Sequence, residues 1–272
     1  MTKPEKERFP FGENWLNFLN ILSEAHIAEA EKSLRTFLGD FDLKGKRFLD
    51  IGSGSGLHSL AARKLGADVF SFDYDLQSVA CTKEVKSRYF QNDPAWEVQQ
   101  GSILERGYIE SLGKFDVAYA WGVLHHTGIL WQALYNAQLP VKEDGLLFVA
   151  IYNDQGIISS IWKIIKRFYS SGWLGRSIMS LIFYPIFFFS GLLLDLIRLR
   201  NPATRYYEHK KYRGMSLLHD WRDWLGGYPF EPAQPEAIIS FYQNLGFELI
   251  HLLPPDIGFG NNQFLFRRIK QK

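Results

Sequence analysis

Three glycines at alternate positions, Gly52, Gly54 and Gly56, follow a short apolar run and lead into a helical pattern from Leu57 to Leu65. The run, Phe48, Leu49 and Ile51, reads as a buried strand. Glycine lets the backbone come close to a ligand, and a helix start offers unpaired N–H groups. A small molecule is therefore expected across this turn. Two carboxylates stand where they could hold it: Asp50 on the strand, and Asp73 at the end of the next apolar run, about 20 residues beyond the glycines, where one carboxylate can accept from both hydroxyls of a ribose. Asp73 alone could be a helix cap; after this turn it reads as a ligand contact. A nicotinamide dinucleotide is disfavoured, because G-x-G-x-x-G needs a third glycine where this chain has Leu57. For moving a proton near neutral pH the candidates are His125, His126 and His219. Each could equally be a structural imidazole.

An acidic residue on the strand followed by G-x-G-x-G resembles the first motif of class I methyltransferases, which use S-adenosylmethionine. The resemblance implies that Gly52, Ser53, Gly54 and Gly56 cradle the methionine and ribose. Asp50 would anchor the cofactor's amino group, and Asp73 with Tyr74 would meet the ribose. The adenine would meet the turn Gln100-Gly101-Ser102-Ile103-Leu104 through Ser102 and Ile103; many relatives carry an acidic residue at the position of Ser102. The stretch from Phe115 to Thr127, with Val123-Leu124-His125-His126, is similar to the post-strand V-L-x-H motif of the ubiquinone-biosynthesis type of O-methyltransferase. By position, Trp121 would contact the cofactor, and His125 and His126 would border the transferring methyl. The likeness covers most of the chain from Phe48 to Tyr152 and again after Pro232. It leaves out the stretch between, so that family's acceptor does not carry over.

The elements that must position these residues alternate as a parallel sheet with crossover helices requires. Strands are expected at Phe48–Ile51, Val69–Phe72, Trp96–Gln99, Phe115–Ala120 and Leu146–Tyr152, with helices near Ser55–Leu65 and Leu76–Tyr89. An amphipathic helix, Glu236–Leu245, stops at Gly246. Two final strands, Phe247–Leu253 and Asn262–Arg268, form a hairpin, one of them antiparallel to the rest. The fold class is α/β: a Rossmann-like seven-stranded sheet with a helical insertion. Four parts are expected: an N-terminal helical arm (1–43), the cofactor-binding core (44–152), a helical cap (153–232) and the end of the core (233–272). The arm starts with the aromatic Phe11-Gly12-Glu13-Asn14-Trp15; it could fold over the cofactor, as such arms often do in class I methyltransferases, or simply pack on the sheet.

Within the insertion, Ile157–Tyr169 is amphipathic and basic, and Ile178–Leu194 is apolar and uncharged. The second stretch is near the lower limit for a membrane span, about 17 residues. Because the chain on either side belongs to one sheet, a single crossing is disfavoured. Two readings fit: a helical cap over an apolar pocket, which is preferred, or a hairpin dipping into one leaflet, with Arg198, Arg200, Arg205, Lys210, Lys211 and Arg213 near head groups. The Trp-, His- and Asp-rich segment from Gly214 to Glu231 resembles one found in a group of bacterial methyltransferases; it implies that His219 or Asp220 reaches the substrate. Tyr152 and Asn153, where strand five enters the insertion, complete the candidate acceptor contacts.

The 272 residues carry a formal net charge of +2, too near neutrality to suggest nucleic-acid binding by bulk charge. An Asn-Pro-Pro-aromatic motif of base methylases is also missing. The lone Cys81 excludes an internal disulfide and a cysteine zinc cluster, and no carboxylate stands at ligand spacing from the histidine pair, so no metal is expected. The charged first ten residues lack a signal sequence's apolar stretch, and a cytoplasmic setting is expected, with membrane association as the second reading. The resulting expectation is methylation, at oxygen, of a small or lipophilic acceptor. The alternatives are a peptide acceptor, at a carboxylate for instance, and a non-catalytic adenosylmethionine-binding or membrane-associated scaffold.

Overall fold

A computed structural model describes residues 9, 11–199, 201, 202, 204, 221, 222, 224–255 and 260–270, apart from the side chains of 13, 14, 16 and 17. Helices α1 (Phe11–Leu19) and α2 (Glu24–Leu38) precede β1 (Arg47–Ile51), α3 (Leu57–Lys64), β2 (Asp68–Asp73), α4 (Leu76–Tyr89) and β3 (Trp96–Gln100). Then come α5 (Arg106–Ser111), β4 (Phe115–Trp121), a 3-10 turn (Leu124–His126), α6 (Leu130–Gln138) and β5 (Val141–Tyr152). The insertion contributes α7 (Ile157–Ser170) and α8 (Trp173–Ile197), and α9 (Pro235–Asn244), β6 (Phe247–Leu253) and β7 (Asn261–Arg268) close the fold.

Alternate side chains of a strand point to opposite faces, and here both faces are covered by helices. Phe48, Val117, Tyr119, Phe148 and Leu265 join a core with α2, α3 and α4. Their neighbours Leu49, Ile51, Ala118, Ala120, Leu147 and Phe264 join the opposite core, with α5, α6 and α9. This is why the central strands read as apolar runs. Cys81 lies in the first of these cores, and burial pushes its thiol up to about 11, which suits packing and not nucleophilic chemistry.

The strand order is β3-β2-β1-β4-β5-β7-β6. Strands β1 to β5 pair in parallel, and β7 runs antiparallel to both β5 and β6, as expected. The order reverses between β1 and β4, where Asp50 stands opposite Tyr119. At such a switch point the connections leave to opposite faces and open a crevice beyond the strand ends. The glycine turn follows β1 and the histidine pair follows β4, so both border that crevice.

Two local readings are corrected. Strand five begins at Val141, not Leu146: the charged Lys142-Glu143-Asp144-Gly145 interrupts the apolar run, but Phe115 pairs with Val141 across a register shift and Lys142 is tied to Asp116 at 2.8 Å. Helices α5 and α6 are short and lack a long periodic pattern. The apolar helix of the insertion is longer than its uncharged stretch, continuing through Pro185.

Candidate functional site

The glycine turn is built from conformations and clearances that side chains would spoil. Gly52, Gly54 and Gly56 have φ of +72°, +53° and +78°. A Cβ on Gly52 would lie 2.4 Å from Val123, and one on Gly54 would lie 3.0 Å from the indole nitrogen of Trp15. The β1 and β4 loops are thus in contact, and the first helix of the arm lies across the turn. Gly12 serves the same closeness, since its Cβ would meet the Asp75 carboxylate at the start of α4. The N-terminal arm therefore covers the crevice as well as packing on the core.

Asp73 is held by the turn it serves. One carboxylate oxygen accepts the Gly54 N–H at 2.9 Å, the other the Asp75 N–H at 2.9 Å. Burial raises its pKa to about 6, an effect that the two N–H donors only partly offset. Tyr74 beside it is exposed, its carbonyl accepting from Gln100 at 3.2 Å. Asp50 lies deeper. Burial pushes its pKa up to about 7, with the neighbouring Asp73 adding to the rise. A buried chain of donors points at it: Trp96 Nε1–H to Ser71 Oγ at 2.9 Å, Ser71 to Ser59 at 2.7 Å, and Ser59 Oγ–H to Asp50 at 2.5 Å. Ser53 bonds Thr82 at 2.9 Å and so anchors the turn to α4.

Beyond β3, Ser102 Oγ accepts the Leu104 N–H at 3.2 Å, which shapes its loop, and the Ile103 carbonyl accepts from Asn136 at 2.7 Å. The Tyr108 ring packs against Gly101, where a Cβ would lie 2.2 Å from it, and its hydroxyl is buried without a hydrogen-bond partner. Burial, with Glu97 and Glu105 nearby, raises the Tyr108 pKa to about 12, so the phenol remains protonated.

The histidine pair sits among rings. His125 is fully buried, 4.3 Å from His126 and 4.4 Å from Tyr152, and neither of its ring nitrogens has a hydrogen-bond partner. Desolvation holds its pKa well below the usual value; the Ala150 carbonyl opposes this weakly, lying outside hydrogen-bonding geometry. His126 is partly exposed. Its Nδ1–H donates to the Pro229 carbonyl at 2.7 Å, which leaves Nε2 as the atom with a lone pair. Desolvation lowers its pKa to about 4, with the charge of Lys166 contributing. The Phe11 ring of the arm lies 5.1 Å from His126, and Phe230 lies 5.2 Å from Tyr152. The Asn153 side chain accepts from Asn262 at 3.0 Å.

Lys166 of α7 ties the insertion to this cluster. Its buried ammonium donates to the carbonyls of Trp224 at 2.6 Å and Gly226 at 2.9 Å, beneath Phe230. The returning chain is pinned in turn: the Glu231 N–H donates to the His125 carbonyl at 3.0 Å, and the Glu231 carboxylate accepts the Leu130 N–H at 3.0 Å.

A family described as a methyltransferase domain matches residues 24–252. The chain belongs to this methyltransferase family. Among curated relatives, a ubiquinone biosynthesis O-methyltransferase of Glaesserella parasuis is 29% identical over 111 residues, 41% of this chain and 47% of that protein. A ribosomal protein L11 methyltransferase of Helicobacter hepaticus is 37% identical over 85 residues, 31% of this chain and 26% of that protein. The chain thus matches about half or less of these relatives' lengths. Among solved structures, magnesium protoporphyrin IX methyltransferase from Synechocystis PCC 6803 with bound SAH has a TM-score of 0.54 at 13% identity, over 89% of this chain and 83% of that one. That likeness is one of fold, and it bears out the Rossmann-like seven-stranded sheet.

In this member of the family the structure brings together Asp50, Gly52, Ser53, Gly54, Gly56 and Asp73 at one turn, with Tyr74 at its rim. Ser102 and Ile103 lie in the loop after β3. Trp121 is half-exposed, its ring 6.0 Å from His58. His219 and Asp220 lie outside the described residues. Among the described residues no group of three or more His, Cys, Asp or Glu could hold a metal ion. Reading by motif missed Ser59, Ser71, Trp96, Tyr108 and Lys166, whereas Trp15 stood in the aromatic start of the arm. The serines and the lysine carried no signal, because their roles arise from packing.

Proposed function

We propose that this chain transfers the methyl group of S-adenosylmethionine to an oxygen of a small, lipophilic acceptor. One observation carries the cofactor half: two carboxylates with raised pKa values, Asp50 and Asp73, flank a glycine turn at the sheet's switch point. Such a pair favours a cationic ligand, whose charge offsets the burial that raises them. Asp50 would hold the ammonium of S-adenosylmethionine and Asp73 its ribose hydroxyls, and the cofactor would supply an electrophilic methyl group.

The acceptor half rests on the ring cluster at the end of β4 and β5. In the transfer, the acceptor oxygen attacks the methyl carbon in line, the carbon–sulfur bond breaks with its electron pair going to sulfur, and S-adenosylhomocysteine leaves as a neutral thioether. His126 is the histidine placed to receive the hydroxyl proton, because Pro229 fixes its Nδ1–H and leaves Nε2 as the accepting atom. With its pKa near 4 it is a weak base, so its main service is to align the hydroxyl, taking the proton as the oxygen becomes acidic in the transition state. The His125 ring packs edge-on against it at 4.3 Å. The peptide alternative draws on the names of two relatives, both ribosomal protein L11 methyltransferases, matched over 31% and 52% of the chain.

The test is S-adenosylhomocysteine release by the purified chain, offered lipophilic phenols or quinols and, separately, acidic peptides. Release with the hydroxyl acceptors alone supports the reading; release with peptides alone replaces it. Tight NADH binding with no response to adenosylmethionine would sink it entirely.

A further inference from the structure

The insertion carries a surface that the chemistry above leaves unused. Helices α7 and α8 pack on each other through Trp162 and Phe183, and onto the returning chain through Tyr184 and Phe187, 5.7 and 5.8 Å from Trp221. Away from these contacts, Ile157, Ile161, Ile164 and Phe168 of α7 form one exposed stripe at helical spacing, opposite the buried Lys166. The amphipathic helix thus turns its apolar face outward. On α8, Leu181, Ile182, Ile186, Phe188, Phe189 and Leu193 are exposed, with Leu181 at 78% and Phe189 at 63%. At 3.6 residues per turn these positions cover about half the circumference of the helix. A seam against one partner helix is narrower, and soluble monomers rarely leave so much contiguous apolar surface in water.

Charge says what covers it. From Ile157 to Leu194 the charged residues are Lys163, Lys166, Arg167 and Arg176, with no Asp or Glu among them. In a chain of 31 basic and 29 acidic residues, that stretch concentrates positive charge where the apolar surface lies. Lys163 and Arg167 are exposed on α7. A bilayer crossing does not fit, because Tyr184 and Phe187, at mid-length of α8, lie against the domain, and the Ala233 N–H returns to the Tyr152 carbonyl at 3.0 Å.

We propose that α7 and α8 form a docking surface for an anionic phospholipid bilayer. The apolar faces lie at the boundary of the acyl chains, with Lys163 and Arg167 among the head groups. The acceptor then reaches the ring cluster from the lipid phase; that part rests on the function proposed above, whereas the contact itself does not.

The full chain should co-sediment with vesicles of phosphatidylcholine containing phosphatidylglycerol, more weakly with phosphatidylcholine alone, and less as salt rises. Lys163→Gln with Arg167→Gln should weaken binding to the anionic vesicles about thirtyfold, at the usual contribution per basic residue. Leu181→Glu with Phe189→Glu should abolish it while S-adenosylhomocysteine binding, followed by calorimetry, stays unchanged. Failure of the unmodified chain to bind anionic vesicles overturns the proposal. So does a dimer, seen by light scattering, that the glutamate pair breaks apart, because the face would then belong to a second copy. Vesicle binding without methylation of any lipophilic acceptor removes the acceptor reading and leaves the docking surface standing.

Discussion

Replacing Asp50 with asparagine keeps the side chain's shape and removes its charge. The pKa of this carboxyl is raised from 3.8 to about 7, chiefly by burial. The gap between those values corresponds to ~4 kcal/mol, a ceiling on what neutralisation can return. Loss of the charged acceptor for Ser59 takes back about 1.5–3 kcal/mol. A net stabilisation of about 1–3 kcal/mol therefore remains above neutral pH. The sign follows from linkage: the folded protein holds this proton more tightly than the unfolded chain, so the stabilising contribution is complete below the unfolded pKa and is lost as pH rises through about 7. Asp50→Asn should accordingly melt above the unmodified protein by about 2–8 °C at alkaline pH, with the gap closing toward acid pH. Scanning calorimetry across that range reads the effect. In the same variant S-adenosylhomocysteine should bind at least tenfold more weakly, about the loss of one charge-assisted hydrogen bond. An Asp50→Asn protein that melts at or below the original at alkaline pH would refute the claim that the fold bears the cost of a buried carboxylate at this position.

Gly54→Val should abolish cofactor binding in calorimetry, because it puts a branched side chain at φ +53° against Trp15; a circular dichroism spectrum like the original's would place the damage at the turn. His126→Ala should lower turnover by about 10²–10⁴ with cofactor affinity retained, and near-normal turnover would mean that the acceptor arrives ionised or that alignment alone suffices. Lys166→Met removes the donor to the Trp224 and Gly226 carbonyls and should cost about 1–3 kcal/mol in chemical denaturation. The same change removes a positive charge near His126, so the His126 pKa should rise from about 4 in an NMR titration; an unmoved value would contradict the coupling.

Much of the cofactor side was legible in the chain itself. A strand buried on both faces must be apolar throughout, and a glycine turn with positive φ must be glycine, so Phe48 to Gly56 declared itself. Asp73 and the final antiparallel hairpin were readable for the same reason: spacing and alternation are local. The charged beginning of β5 was misread because its pairing with β4 includes a register shift that no local pattern records. The acceptor side resisted reading. Sequence offered His125 and His126 as equals; the fold buries the first fully and leaves the second partly exposed, with its Nδ1 fixed by Pro229, 103 residues away. Ser59, Ser71 and Trp96 look like ordinary core positions until three elements converge under Asp50. Periodicity shows that α7 has an apolar face, but which way that face turns was decided by the burial of Lys166 against Trp224 and Gly226. Local pattern thus determines which side chains avoid water and which backbone must be glycine. What each side chain meets is decided only when distant segments pack, because hydrogen bonds and desolvation act over a few ångströms in space, whatever the separation along the chain.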